Sequence, residues 1–122
     1  MNDSRPHTIF CDIDGTLVKH NSPTVTGDPN LQLEVLPGTI EKLLEWDRNG
    51  YNIILVTGRR ESQREATEQQ LRRVGIFYDK LIMGIGGGKR IVINDKKPDL
   101  DHETCQAISL TRNQGIKNVE LG

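Results

Sequence analysis

Thr8-Ile9-Phe10-Cys11-Asp12-Ile13-Asp14-Gly15-Thr16-Leu17 decides how the chain folds. A short apolar run that meets an acidic pair and then a glycine reads as a buried strand followed by a tight turn. The two carboxylates are therefore expected at the carboxyl end of the first strand.

Working outward, residues 18 to 35 are polar and contain Pro23, Gly27 and Pro29, which predicts a small flap over one edge of the fold. Leu36-Pro37-Gly38 opens a helix with Ile40, Leu43 and Leu44 on one face, and Asn49-Gly50 stops it. Tyr51 to Val56 reads as the next strand, its Ile53-Ile54-Leu55-Val56 run continuously apolar as in parallel strands. Residues 61 to 73 are rich in Glu, Gln and Arg and read as a solvated helix. Ile76 to Met83 carries a third strand and Arg90-Ile91-Val92-Ile93 a fourth, with a last short one at Ala107 to Leu110 and a polar tail behind it. Strands alternating with helices predict an α/β fold: a Rossmann-like parallel sheet with helices on both faces, three layers in all.

The 122 residues suit one domain, read here as residues 1 to 122, with roughly two-thirds of the unfolded surface buried on folding. Sixteen basic residues face seventeen acidic ones, a net charge of −1, which argues against nonspecific nucleic-acid binding. Cys11 and Cys105 make no metal or redox spacing, and Cys11 reads as a small core residue. No apolar stretch approaches the ~20 residues of a membrane span, and the polar N-terminus lacks a signal-peptide pattern. The expected setting is cytoplasmic, without membrane contact.

Three strand ends carry reactive groups: Asp12 and Asp14, then Thr57, then Asn94 and Asp95. Parallel sheets bind ligands outside the carboxyl ends of their strands. Two carboxylates about 4 Å apart repel by roughly 4 kcal/mol at an effective dielectric near 20, so either a carboxyl stays protonated or a divalent cation offsets the charge. Oxygen donors without a His or Cys cluster suit Mg²⁺. A carboxylate attacking phosphorus gives an acyl phosphate, and a second carboxyl two residues on can serve as acid and then base. Thr57, the amides near Gly15 and Gly58, and a cation such as Lys89 are candidates to hold the phosphoryl oxygens.

At these residues the chain resembles a known family. Asp12-Ile13-Asp14-Gly15-Thr16-Leu17 looks like the first motif of the haloacid dehalogenase superfamily, whose members are mostly phosphatases. Leu55-Val56-Thr57-Gly58-Arg59 is similar to the second motif and Ile91-Val92-Ile93-Asn94-Asp95 to the fourth. The resemblance implies Asp12 as nucleophile and metal ligand, and Asp14 as acid/base that also binds Mg²⁺ through its carbonyl. It further implies Thr57 as phosphoryl holder, Asn94 or Asp95 on the metal, and Asp99 in support.

The family's third-motif lysine is matched best by Lys89, with Arg90 as the competing cation. Gly15, Thr16, Gly58, Arg59 and Arg90 are the expected substrate contacts. Residues 18 to 35 are too few for a large cap domain, which resembles the capless subgroup that includes capsule and polysaccharide-synthesis phosphatases. Such members accept bulky substrates or close the site with a neighbouring subunit, so a homo-oligomer is expected. The resulting expectation is a Mg-dependent phosphate-monoester hydrolase acting on a small phosphorylated metabolite such as a sugar phosphate. The competing readings are a receiver-like module, an inactive phosphate-binding module and a phosphomutase.

Overall fold

Three parallel strands order the molecule. The computed structural model describes residues 5–98 and 103–122, so Asp99 lies outside the described residues. β1 (Thr8–Asp12), β2 (Asn52–Val56) and β3 (Lys80–Ile82) lie in the order β1-β2-β3, with Asp12 opposite Val56 and Val56 opposite Ile82. α1 (Thr39–Arg48) links β1 to β2, and a single 3-10 turn at Glu61–Gln63 leads into α2 (Arg64–Arg73) before β3. This is the expected α/β class with a parallel sheet, and no large cap is present among the described residues.

The side-chain pattern explains these elements. Ile53, Ile54 and Leu55 are all buried although they alternate in direction, so both faces of β2 are covered. On α1, Thr39, Leu43 and Trp46 recur at helical spacing and face the core, each large apolar side chain contributing about 1.5–3 kcal/mol. Ile13, Leu17, Val18, Leu43, Ile53, Leu55 and Leu71 form its fully buried centre.

α2 departs from the solvated helix expected: Thr67 and Gln70 are completely buried beside Ala66 and Leu71. Its inward face is polar because it grips an arginine, as shown below. Nor do Ile91-Val92-Ile93 or Ala107 to Leu110 form strands. Ile91, Val92 and Ile93 are 77%, 63% and 93% exposed, and on β1 Phe10 is 61% exposed. Apolar composition alone does not make a strand; a paired edge is also needed, and this segment has none among the described residues.

The flap closes at its base, where Lys19 N–H donates to the Glu34 carbonyl (2.8 Å) and Leu36 N–H to that of Leu17 (3.0 Å). Its outer part is tied to α2. Gln70 Nε2 donates to the carbonyls of Thr26 (3.0 Å) and Asp28 (2.7 Å), and Arg73 donates to those of Pro29 and Leu31. The polar tail also returns to the body. Ile116 and Lys117 N–H both donate to the Pro37 carbonyl, and Ile116 is buried. No helix among the described residues is long and apolar enough to cross a membrane.

Candidate active site

Asp12 is the last residue of β1 and pairs across the sheet with Val56, so Thr57 follows directly at the same edge. Gly15, at φ +89°, turns the chain back, and its N–H donates to the Val18 carbonyl at 2.7 Å. That amide is therefore engaged within the loop rather than offered outward. Thr16 Oγ1 donates to Asp12 Oδ2 at 3.2 Å, so this hydroxyl positions the carboxylate.

Burial raises the Asp12 carboxyl above the ordinary aspartate range, and the Asp14 charge pushes the same way. The Ile13 amide, the Thr16 hydroxyl and Arg90 oppose that shift. Cys11 beside it is no rival nucleophile, since burial pushes its thiol up to about 12.

Asp14 is held differently. Arg59 Nε donates to its Oδ2 and Nη2 to its Oδ1, both at 2.8 Å. Arg59 Nη1 donates to Thr67 Oγ1 (3.0 Å) and Gln70 Oε1 (2.6 Å), and the guanidinium is almost fully buried. Four of the five donors of this arginine are thereby directed at protein acceptors. Expected at the substrate, Arg59 is turned inward and fixes Asp14.

Thr57 is 2% exposed, and its Oγ1 accepts the Arg59 N–H at 3.1 Å, which leaves the hydroxyl proton free to donate. Gly58 passes so near Gly86 that a Cβ would stand 2.7 Å from the Gly86 carbonyl oxygen. Side chains larger than glycine do not fit there. Arg90, bonded to the Gly86 and Gly88 carbonyls, is the cation whose charge reaches Asp12; it and Lys89 are both exposed.

Asn94 and Asp95 stand apart from this group. Asn94 Nδ2 donates to Thr104, and Asp95 accepts from Lys97 Nζ at 2.8 Å and feels the charge of Arg5, three residues ahead of β1. Among the described residues no group of three or more His, Cys, Asp or Glu side chains gathers as a metal cluster.

What the site does offer a hard cation is the exposed Asp12 carboxylate and the Asp14 carbonyl, which accepts no hydrogen bond among the described residues. Mg²⁺ commonly takes one or two such oxygens and fills its shell with water and phosphate. A shallow hollow of about 340 Å³ between Ile108 and Glu120 is lined by none of Asp12, Asp14 and Thr57.

The sequence reading missed two residues of the polar tail. Asn113 N–H donates to the Gly15 carbonyl (2.8 Å), and Asn113 Oδ1 accepts the His20 N–H (2.8 Å). The Arg112 side chain packs against Gly15, with Cγ 3.2 Å from the place a Cβ would take. The only hint in the sequence is the turn-prone Asn113-Gln114-Gly115.

Residues 9–111 match the family described as the LNS2 domain of PITM 1-3. The chain belongs to the LNS2 domain family. Among solved structures, it is similar to a chain of the Pnkp1/Rnl/Hen1 complex (28% identity, TM-score 0.57), covering 74% of this chain and 32% of that one. A chain of the Pnkp1/Rnl/Hen1 RNA repair complex aligns similarly (29%, TM-score 0.55), covering 67% of this chain and 27% of that one. This LNS2 chain thus spans about a third or less of the length of those two.

Fold likeness also extends to D,D-heptose 1,7-bisphosphate phosphatase from B. bronchiseptica complexed with magnesium and phosphate. The identity there is 18% and the TM-score 0.51, over 66% of this chain and 51% of that one. The LNS2 chain has the fold of the haloacid dehalogenase-like superfamily. No curated protein matches it.

Proposed function

We propose that this LNS2 chain is a phosphatase that hydrolyses phosphate monoesters through attack of Asp12 on phosphorus. One observation carries the reading: a carboxylate at a parallel-sheet edge stands beside a Thr57 hydroxyl that donates to no acceptor among the described residues, and beside a second carboxylate fixed by a buried arginine. The fold likeness to a phosphatase supports it.

In this reading Asp12 forms a bond to phosphorus while the ester P–O bond breaks. The leaving oxygen takes a proton from Asp14. Water then attacks the same phosphorus, gives its proton to Asp14, and Asp12 is released with inorganic phosphate. Because Arg59 holds both oxygens of Asp14, one of those two contacts opens for each proton transfer. Thr57 donates to a phosphoryl oxygen, with the Gly58 backbone beside it and Arg90, or Lys89 on a short swing, supplying positive charge.

Mg²⁺, which accompanies phosphate in the B. bronchiseptica structure, would offset the phosphoryl charge when bound by the Asp12 carboxylate and the Asp14 carbonyl. Asn94 or Asp95, supported by Asp99, would join that shell only if the segment after Arg90 moved toward Asp12. A small phosphorylated metabolite such as a sugar phosphate fits an open site with no large cap among the described residues. The capsule-phosphatase likeness rests on the sequence motifs alone. The elements are read as one domain with a pinned flap, and self-association is supported by the exposed Ile91-Val92-Ile93 run.

Release of phosphate from p-nitrophenyl phosphate tests the reading: it is expected to need Mg²⁺ and to vanish in Asp12→Asn. Wild-type turnover in Asp12→Asn contradicts it. The closed grip of Arg59 on Asp14 favours one second reading, a phosphate-binding module without turnover. Saturable sugar-phosphate binding with no phosphate released would select that module.

A further inference from the structure

Arg112 reaches the nucleophile loop from a distant part of the chain. Thr111 to Lys117 is fastened there at both ends: Asn113 bonds to Gly15 and His20, and the Ile116 and Lys117 amides bond to the Pro37 carbonyl. Asn113 takes a left-handed conformation (φ 67°) to make the turn. Gly115 and Gly38 allow the two backbones to cross, since a Cβ on either would stand 2.5 Å from Pro37 O or 2.3 Å from Lys117 Cα. The anchored backbone lays the Arg112 methylenes on Gly15, three residues beyond Asp12.

Three of the arginines near this edge differ in what they have left to give. Arg59 is buried and bound to Asp14, Thr67 and Gln70. Arg90 directs donors at the Gly86 and Gly88 carbonyls. Arg112 is exposed, and its guanidinium makes no hydrogen bond or ion pair among the described residues. A guanidinium with all five donors open, seated beside a phosphate-seeking loop, fits a bidentate phosphate partner.

We propose that Arg112 binds a second phosphate group of the substrate, so that the preferred substrate class is a small bisphosphate rather than a simple monophosphate. This rests on the reading of Asp12 and its loop as the hydrolytic site. One phosphate enters at Asp12 and Thr57, and the other, which is not hydrolysed in that encounter, is held by Arg112. The geometry also explains how a site with no large cap among the described residues selects its substrate, because selection comes from the tail that clasps the loop.

The test compares kcat/KM for a hexose bisphosphate with that for p-nitrophenyl phosphate in wild type, Arg112→Lys and Arg112→Ala. The ratio is expected to fall at least about tenfold in Arg112→Ala, through KM, and part-way in Arg112→Lys, as for loss of one charge-assisted pair. A ratio that does not change overturns the proposal, as does an equal loss on both substrates. Thermal melting of each variant separates a folding defect from a binding one, and Arg112→Glu should lower the ratio further.

Calorimetric titration of hexose bisphosphate into Asp12→Asn, with and without Arg112→Ala, reads Arg112 independently of turnover. Weaker binding on removal of Arg112 supports the second-phosphate role even where wild type hydrolyses nothing, in which case the hydrolase reading fails by itself. Unchanged binding overturns the role even where hydrolysis is robust.

Discussion

Arg59 holds the Asp14 carboxylate by both oxygens, through Nε and Nη2 at 2.8 Å each, although the two residues are 45 positions apart. The arginine side chain is 3% exposed and the aspartate 15%, so the pair is largely withdrawn from water. Removing one partner of such a pair leaves a buried charge uncompensated. Arg59→Ala is therefore predicted to lose about 3–5 kcal/mol in urea unfolding. Arg59→Lys should recover little, because an ammonium cannot reproduce the planar fork. A loss below about 1 kcal/mol would mean the pair contributes little to the fold.

Gln70 extends that grip to the flap. It accepts from Arg59 and donates to the Thr26 and Asp28 carbonyls while being fully buried. Gln70→Leu keeps the volume and removes all three bonds, with a predicted cost of about 2–3 kcal/mol. Limited proteolysis should then cut within residues 23 to 31 faster than in wild type. Unchanged cleavage there would show that the flap is held by other contacts.

Asp12 sets a pH dependence whose sign follows from its surroundings. Burial raises its carboxyl, so the folded chain binds that proton more tightly than the unfolded chain does. The associated stability is complete below the ordinary aspartate range and is lost as pH rises through the raised folded value. Asp12→Asn should therefore melt at a higher temperature than wild type at neutral pH. The gap should close below about pH 4. Equal melting temperatures across the range would argue that the site compensates the charge fully.

Gly38 and Gly115 both adopt positive φ and both face backbone at close range. Gly50 shares the positive φ but has nothing within 4 Å of a built Cβ. Alanine at 38 or 115 should thus cost clearly more than alanine at 50, by over about 1 kcal/mol in the same urea assay. Equal costs would show that only the backbone angle matters and that the tail does not press on Pro37-Gly38.

Much of the site was legible because its signals are local. Asp12, Asp14 and Thr57 sit where short apolar runs end, and a parallel sheet places such ends on one edge. The inward turn of Arg59 was not legible, since its partners Asp14 and Gln70 come from other elements and sequence spacing carries no trace of them. Thr67 and Gln70 looked like solvent-facing polar residues for the same reason. Arg112 and Asn113 lay in a tail with no periodicity, and only the docking of that tail gives them meaning. The opposite error arose at Ile91-Val92-Ile93, where apolar composition suggests a buried strand but the edge that would pair with it is not engaged.

Reductive trapping identifies the residue that attacks phosphorus. The chain would be mixed with p-nitrophenyl phosphate and Mg²⁺, quenched, and treated with borohydride, which converts an aspartyl phosphate to homoserine. Homoserine is expected at position 12 in peptide mass spectra of the wild type and at no position in Asp12→Asn. Phosphate release without modification of Asp12, or with homoserine at another aspartate, would contradict it.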